Sequence, residues 1–153
     1  MKFSSQEEYG LRLLLRIAHD KSGHGLTIPE ISEAEKLTQA NAAKILRILR
    51  MGGFVESERG MNGGYKLIKK PENIVVGDVL AALGGRLFKS SFCTDYSGVD
   101  AICTHTIDCS VRSLWRAVQV SVDNVLNRIT LRDLMHNEQK VNLFVNAIMD
   151  EAG

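Results

Sequence analysis

Apolar residues recur along this chain mostly at helical spacing, and the exceptions are as informative as the rule. Leu11, Leu14, Leu15 and Ala18 lie on one face of a helix. Ser5 precedes Glu8 by three positions, a capping-box spacing, so the pattern predicts a helix from about Ser5 to His19. After a Gly-containing turn, Thr27-Ile-Pro-Glu30 repeats the capping signal, with Pro29 acceptable in a first turn. The short helix it opens turns Ile28, Ile31 and Ala34 inward and stops near Lys36. Thr38 then caps a third helix, Gln39 to Met51, which Gly52 and Gly53 close. Its inner face is Ala42, Ile45, Leu46 and Leu49. Next the period changes. Phe54–Glu58 and Tyr65–Ile68 read as strands around Arg59-Gly-Met-Asn-Gly-Gly64, a turn rich in residues that accept positive φ. Ile74-Val-Val-Gly-Asp78 leads into a short helix, Asp78 to Leu83, ended by Gly84 and Gly85. Periodicity then fades until a long helix, about Ser110 to Asn127, carries Val111, Leu114, Trp115, Val118, Val122, Val125 and Leu126 in one stripe. Thr130 caps a short helix to Met135. Val141, Phe144, Val145 and Ile148 mark a last helix in the tail from Glu138.

Two short helices at helix–turn–helix spacing followed by a hairpin predict a winged helix. The expected fold is mostly α with a small β-hairpin: a winged helix–turn–helix domain plus a long dimerisation helix. The segments are expected at 1–84 (DNA-binding domain), 85–109 (cysteine loop), 110–137 (long helix and following short helix) and 138–153 (tail). The long helix spans about 27 Å at 1.5 Å per residue. Winged-helix regulators commonly read two half-sites, which assigns the stripe to a homodimer interface. The competing assignment packs the stripe on its own domain.

Charge sharpens this picture. The net charge is only +1, yet residues 1–70 carry +4 and residues 71–153 carry −3. On the third helix, Ala40, Ala43, Lys44, Arg47 and Arg50 lie opposite the apolar face. Small residues let a helix backbone sink into a major groove, and Lys and Arg reach phosphates or guanine edges. The wing tip places Arg59 for a minor groove. An ordinary solvated face is the competing reading of the same residues. No apolar run approaches the roughly 20 residues of a membrane span, and the polar start of the chain is unlike a signal peptide. A cytoplasmic setting is expected, where thiols stay reduced. No nucleophile–base set or phosphate loop is legible, so an enzyme is not expected.

All three cysteines fall within 17 positions, as Cys93-x9-Cys103-x5-Cys109. The C-x2–4-C pairs usual for zinc are missing. Thiolates in a polar loop, the last at a helix start where the dipole favours negative charge, suit an iron–sulfur cluster. The alternative is three unrelated cysteines, each a small buried hydrophobe.

Several stretches together resemble a known family: MKFSSQEEYGLRLLLRIA at the start, the wing Arg59-Gly-Met-Asn-Gly-Gly-Tyr65, Ile74-Val-Val-Gly-Asp-Val79, the three cysteines before a long helix, and Ile129-Thr-Leu-Arg-Asp-Leu134. The chain is similar to the winged-helix iron–sulfur transcription regulators that include IscR, NsrR and RirA, from residue 1 to about Asn137. The resemblance implies that Cys93, Cys103 and Cys109 ligate a [2Fe–2S] or [4Fe–4S] cluster. It implies a homodimer built on the long helix, bound to double-stranded DNA at a palindromic operator. The expected DNA-binding residues are Thr38, Gln39, Asn41, Lys44, Arg47, Arg59, Asn62 and Gly63. IscR-type members have a histidine three residues after the last cysteine, whereas this chain has Arg112, which does not ligate iron. His105, Asp95, Asp100 and Asp108 are nearby candidates for the fourth ligand. NsrR-like relatives use an acidic residue of the other subunit's first helix, which here corresponds to Glu8. Glu8 equally suits the capping box as an ordinary helix-start carboxylate. The function implied is a regulator sensing cluster status, iron, redox state or nitric oxide. Its rivals are an iron–sulfur redox or cluster carrier without specific DNA binding, and a winged-helix protein–protein module with a structural metal.

Overall fold

The computed structural model describes residues 4–60, 63–85 and 108–152. In chain order these form α1 (Ser5–Ala18), α2 (Ile28–Glu35), α3 (Gln39–Met51), β1 (Val55–Ser57), β2 (Tyr65–Leu67), α4 (Val76–Leu83), α5 (Ser110–Leu126), α6 (Leu131–Leu134) and α7 (Glu138–Ala152), with a 3-10 turn at Pro71–Asn73. The mostly helical fold with one hairpin is the one expected.

The first helix corrects a detail that matters later. Its cap is Ser4, not Ser5, and the capping carboxylate is Glu7, not Glu8. Ser4 N–H donates to Glu7 Oε2 at 2.6 Å, and Glu7 N–H donates back to Ser4 Oγ at 3.4 Å. Two serines followed by two glutamates permit either register, and burial decides between them. The phase that buries Gly10, Leu13, Leu14 and Ile17 turns Glu7 inward as well. Leu11, Leu15 and Ala18 are only half-buried.

Helix α2 starts as expected. Thr27 N–H and its hydroxyl both donate to Glu30 Oε2, at 2.8 and 2.7 Å. These bonds, the backbone one first, hold the Glu30 carboxyl below its ordinary range. Thr27→Ala is expected to lower stability by about 1 kcal/mol, or about 2–4 °C in Tm, measured by thermal unfolding. Ile31 is buried, but Ala34 is exposed rather than inward. Ser32 takes the inward place instead, because its hydroxyl donates to the Leu37 carbonyl and closes the turn toward α3. Lys36 sits in that turn in the left-handed region, φ 54°.

The inner face of α3 is Ala42, Ile45, Leu46 and Leu49, all buried as expected. Strands β1 and β2 pair antiparallel in the register Val55↔Leu67, Glu56↔Lys66 and Ser57↔Tyr65. Leu26 adds an isolated bridge on the other side of β2: its N–H donates to the Tyr65 carbonyl and its carbonyl accepts from Tyr65 N–H at 2.8 Å. The stem of the wing is thereby fastened to the loop before α2. Leu13, Leu14, Ile31, Ile45, Leu46, Leu49, Val55, Ile74, Val79 and Leu131 share one core.

Helix α4 begins at Val76, two residues before the expected Asp78. The cause is a backbone zipper with the segment after α5. Val76 N–H donates to the Ile129 carbonyl at 2.9 Å, and Leu131 N–H donates to the Ile74 carbonyl at 2.8 Å. Val75 and Thr130 form the bridge between them. This zipper binds the segment that leaves α5 to the winged helix. A second small core, Val76, Leu80 and Ile129, lies beside it, with Val125, Leu126, Leu134, Val145 and Ile148 packed against it. The stripe of α5 therefore divides. Val125 and Leu126 pack on their own domain, while Val111, Leu114 and Trp115 stay 52%, 59% and 37% exposed. No helix among the described residues is long and apolar enough to cross a membrane.

Candidate functional site

The outer face of α3 is open along its length. Thr38 caps the helix, its Oγ1 accepting from Asn41 N–H at 3.2 Å. Gln39, Ala40, Asn41, Lys44, Arg47 and Arg50 are exposed, and Ala43 is half-buried. The fully buried inner face locks the helix, so these side chains are presented by a rigid element. The helix thus shows a cap with free backbone donors at one end and three cations along its length, the surface a phosphate-lined groove requires.

The wing adds a second contact. Arg59 and the neighbouring Gly60, at φ +129°, are exposed at its tip. Gly63 admits no side chain, because a Cβ there would overlap the Glu58 carbonyl oxygen. That close approach pinches the strands together at the turn. Below it, Lys66 Nζ donates to Glu58 Oε1 at 2.8 Å across the stem. Lys69 and Lys70 are exposed where the wing returns to the body. Asn62 lies outside the described residues.

Of the three cysteines, Cys109 is described; Cys93 and Cys103 lie outside the described residues, as do Asp95, Asp100 and His105. Cys109 is the N-cap of α5, half-buried, with φ −138° and ψ 100°. Its Sγ accepts from Arg112 N–H at 3.3 Å. Arg112, in the place of the expected histidine, thus contributes a backbone donor to the sulfur. The backbone donors of a helix's first turn favour an anionic ligand set nearby. This environment suits a thiolate ligand of an iron–sulfur cluster. Asp108 beside it is exposed. No group of three metal-ligating side chains occurs among the described residues.

Glu8 is released from capping by Glu7. Its carboxylate points outward, 58% exposed, and pairs with Arg12 at 2.9 Å. It borders an apolar groove of about 450 Å³ lined by Leu11, Val76, Leu80, Leu126, Ile129 and Leu134. The burial of Glu7 and of Gln119 was not legible in the sequence. The doubled Ser and Glu pairs hid the first. The second is one of several polar positions along α5, and nothing in the spacing marks it as the one that is buried.

The family model that matches, over residues 3–137, is described as Rrf2, iron-dependent transcriptional regulator. Protein rrf2 of Nitratidesulfovibrio vulgaris is 31% identical over 137 residues, covering 90% of this chain and 89% of its own. The solved structure of CymR, the global cysteine regulator of B. subtilis, superposes with a TM-score of 0.68 at 26% identity, covering 88% of this chain and 96% of that one. T. potens IscR does so with a TM-score of 0.67 at 27% identity, covering 88% and 86%. These relatives are regulators, which removes the carrier alternative as a description of the family. The chain belongs to the Rrf2 family of transcription regulators: it is a DNA-binding winged-helix protein, not an enzyme.

Proposed function

We propose that this regulator binds a palindromic operator as a homodimer and that an iron–sulfur cluster held by Cys93, Cys103 and Cys109 controls the binding. One observation carries the reading: Cys109 caps the start of α5, and the segment that directly follows the same helix is zipped to the start of α4 through Val76–Ile129 and Leu131–Ile74. When bound, the cluster supplies an anionic centre whose occupancy responds to iron, redox state or nitric oxide. The chain does the rest. Cys109 fixes where α5 begins, α5 carries the change along its length, and the zipper delivers it to the winged helix. Val111, Leu114 and Trp115, exposed near the Cys109 end, offer the apolar surface a symmetric partner would cover. Two α3 helices presented by such a dimer read the two half-sites of the operator. The domain division at 84/85 and 109/110 follows from this reading, with residues 138–153 as an addition to the family core.

The test is anaerobic purification with absorption and EPR spectra, followed by footprinting with loaded and stripped protein. A symmetric footprint that depends on loading is the expected result. Protein without iron–sulfur features after reconstitution would overturn the proposal.

Glu8 is assigned as the fourth ligand, donated to the partner's cluster. Its freedom from the capping box and its outward position support this assignment. Glu8→Ala removes only an exposed i,i+4 ion pair from the fold, worth a few tenths of a kcal/mol at most. The variant is expected to fold normally, to show a shifted cluster spectrum, and to lose iron faster under air. An unchanged spectrum and lifetime would rule Glu8 out as a ligand.

A further inference from the structure

The cysteine stretch leaves the described fold beside α1, and α5, the helix that follows it, passes the same place farther along its length. Gly85 is the last described residue before it, and Cys109 caps the helix that follows. On the Gly85 side, α4 is fastened to the start of α1. The Gln6 side-chain amide donates to the Leu83 carbonyl. Glu7, 8% exposed, lies so close over Gly84 that a Cβ there would overlap its carboxylate. Gly84 has φ −127°, an angle open to any residue, so the close approach and not the backbone calls for glycine. Farther along the helix that Cys109 caps, α5 buries Gln119 to 5% exposure while its neighbouring Val120 stays exposed. The Gln119 amide donates to Asp123 Oδ1 at 2.8 Å. Glu7, Gly85, Gln119 and Asn127 line a common cleft of about 170 Å³.

The α5 joint with α1 and α4 is thus polar at this point, where a close-packed apolar contact would fix one arrangement. Polar partners at a cleft exchange with one another and with water at little cost, which lets the two sides shift. Helix α1 in turn packs on α3.

We propose that Glu7, seated between Gly84 and the Gln119 cleft, is the positioning residue that relays the state of the cysteine stretch to α1 and so to the recognition helix. The inference deepens the cluster-controlled reading above and rests on it. Glu7 caps α1 through Ser4, touches the exit of α4 through Gly84, and faces α5 across the cleft. A shift in α4 at the start of the cysteine stretch or in α5 beyond it therefore meets α1 at this side chain.

The experiment measures the operator Kd of full-length protein, loaded and stripped, for wild type and Gly84→Ala. Cluster content is followed by its absorption spectrum. In wild type the two Kd values are expected to differ by about 5- to 150-fold, the usual range of such couplings. In Gly84→Ala, with the added methyl displacing Glu7, the ratio falls to within about twofold of unity while cluster content is kept. Glu7→Asp shortens the side chain and still caps, as Asp133 does for Thr130 at 2.8 Å. The double variant Glu7→Asp/Gly84→Ala is therefore expected to regain coupling. Gln119→Ala, which alters the other wall, lowers the ratio independently if Gly84→Ala fails to fold. A wild-type ratio retained in a loaded and folded Gly84→Ala or Gln119→Ala variant would overturn the relay alone. Wild-type protein whose Kd ignores the cluster would overturn the underlying reading, and the relay with it.

Discussion

Cys109→Ser is expected to yield a folded protein without the visible iron–sulfur absorption of the wild type, and with the DNA affinity of stripped wild type. The choice of serine separates two roles that one residue combines. Cys109 is the N-cap of α5, its Sγ accepting from Arg112 N–H. Serine is a preferred cap, so α5 keeps its start and Tm stays within a few degrees of the stripped wild type. What serine removes is the soft thiolate that iron–sulfur clusters select. Cys109→Ala removes ligand and cap together, with an added cost of about 1 kcal/mol. The pair of variants therefore gives the same spectral loss and different Tm values if Cys109 is a ligand. A Ser variant that keeps the wild-type spectrum and iron content would show that the sulfur only starts a helix.

The placement of Cys109 also explains why a cluster would be felt at a distance. A ligand on a loop would order that loop and little else. A ligand at a helix cap fixes the first turn of a rigid rod whose far end runs directly into the segment hydrogen-bonded to the start of α4. Motion at the cap appears at the zipper with little loss, because hydrogen-bonded helices and close-packed cores do not deform gradually. The exposed Val111, Leu114 and Trp115 lie within the first two turns after the cap. The same turn is therefore positioned to affect the association of two subunits.

The elements that sequence periodicity located well are those with one clear apolar face. The inner face of α3 was legible residue by residue, as were the ends of α5 to within one position. Thr27, Thr38 and Thr130 announced their helices because each cap uses a local bond. Features that depend on distant partners were not legible. Helix α4 starts early because Val76 N–H bonds to Ile129, more than fifty residues away. Spacing alone puts the cap of α1 one residue late because Ser4–Glu7 and Ser5–Glu8 are locally equivalent, and only packing against the core distinguishes them. That one-residue error concealed Glu7, and it also made Glu8 look like an ordinary cap. The α5 stripe read as one surface from spacing alone, yet the contacts of Val125 and Leu126 divide it.

Arg47→Ala is expected to weaken operator binding by about 5- to 150-fold, corresponding to about 1–3 kcal/mol, if Arg47 reads a base edge. Its position supports that role. Arg47 is exposed on α3, one turn beyond Lys44 and two beyond Ala40, while the opposite face is locked by Ile45, Leu46 and Leu49. The exposed Ala40 and half-buried Ala43 let the backbone approach the groove floor, which brings a long guanidinium within reach of guanine O6 and N7. Folding should be unaffected, because Arg47 has no ion pair among the described residues and contributes nothing to the core. Salt dependence discriminates between the two kinds of contact. If Arg47 holds a phosphate, the slope of log K against log salt falls by about one, and affinity drops alike for operator and random DNA. If it reads a base, the slope changes less and the loss concentrates on the operator. Lys44→Ala supplies the comparison, since a point-charge ammonium suits phosphate better than a bidentate base edge. The two substitutions are thus expected to separate: Lys44→Ala lowers the salt slope across all sequences, and Arg47→Ala lowers the ratio of specific to non-specific affinity. Equal, sequence-independent losses from both would reassign α3 from reading bases to gripping the backbone, and would leave the wing around Arg59 as the element that selects the site.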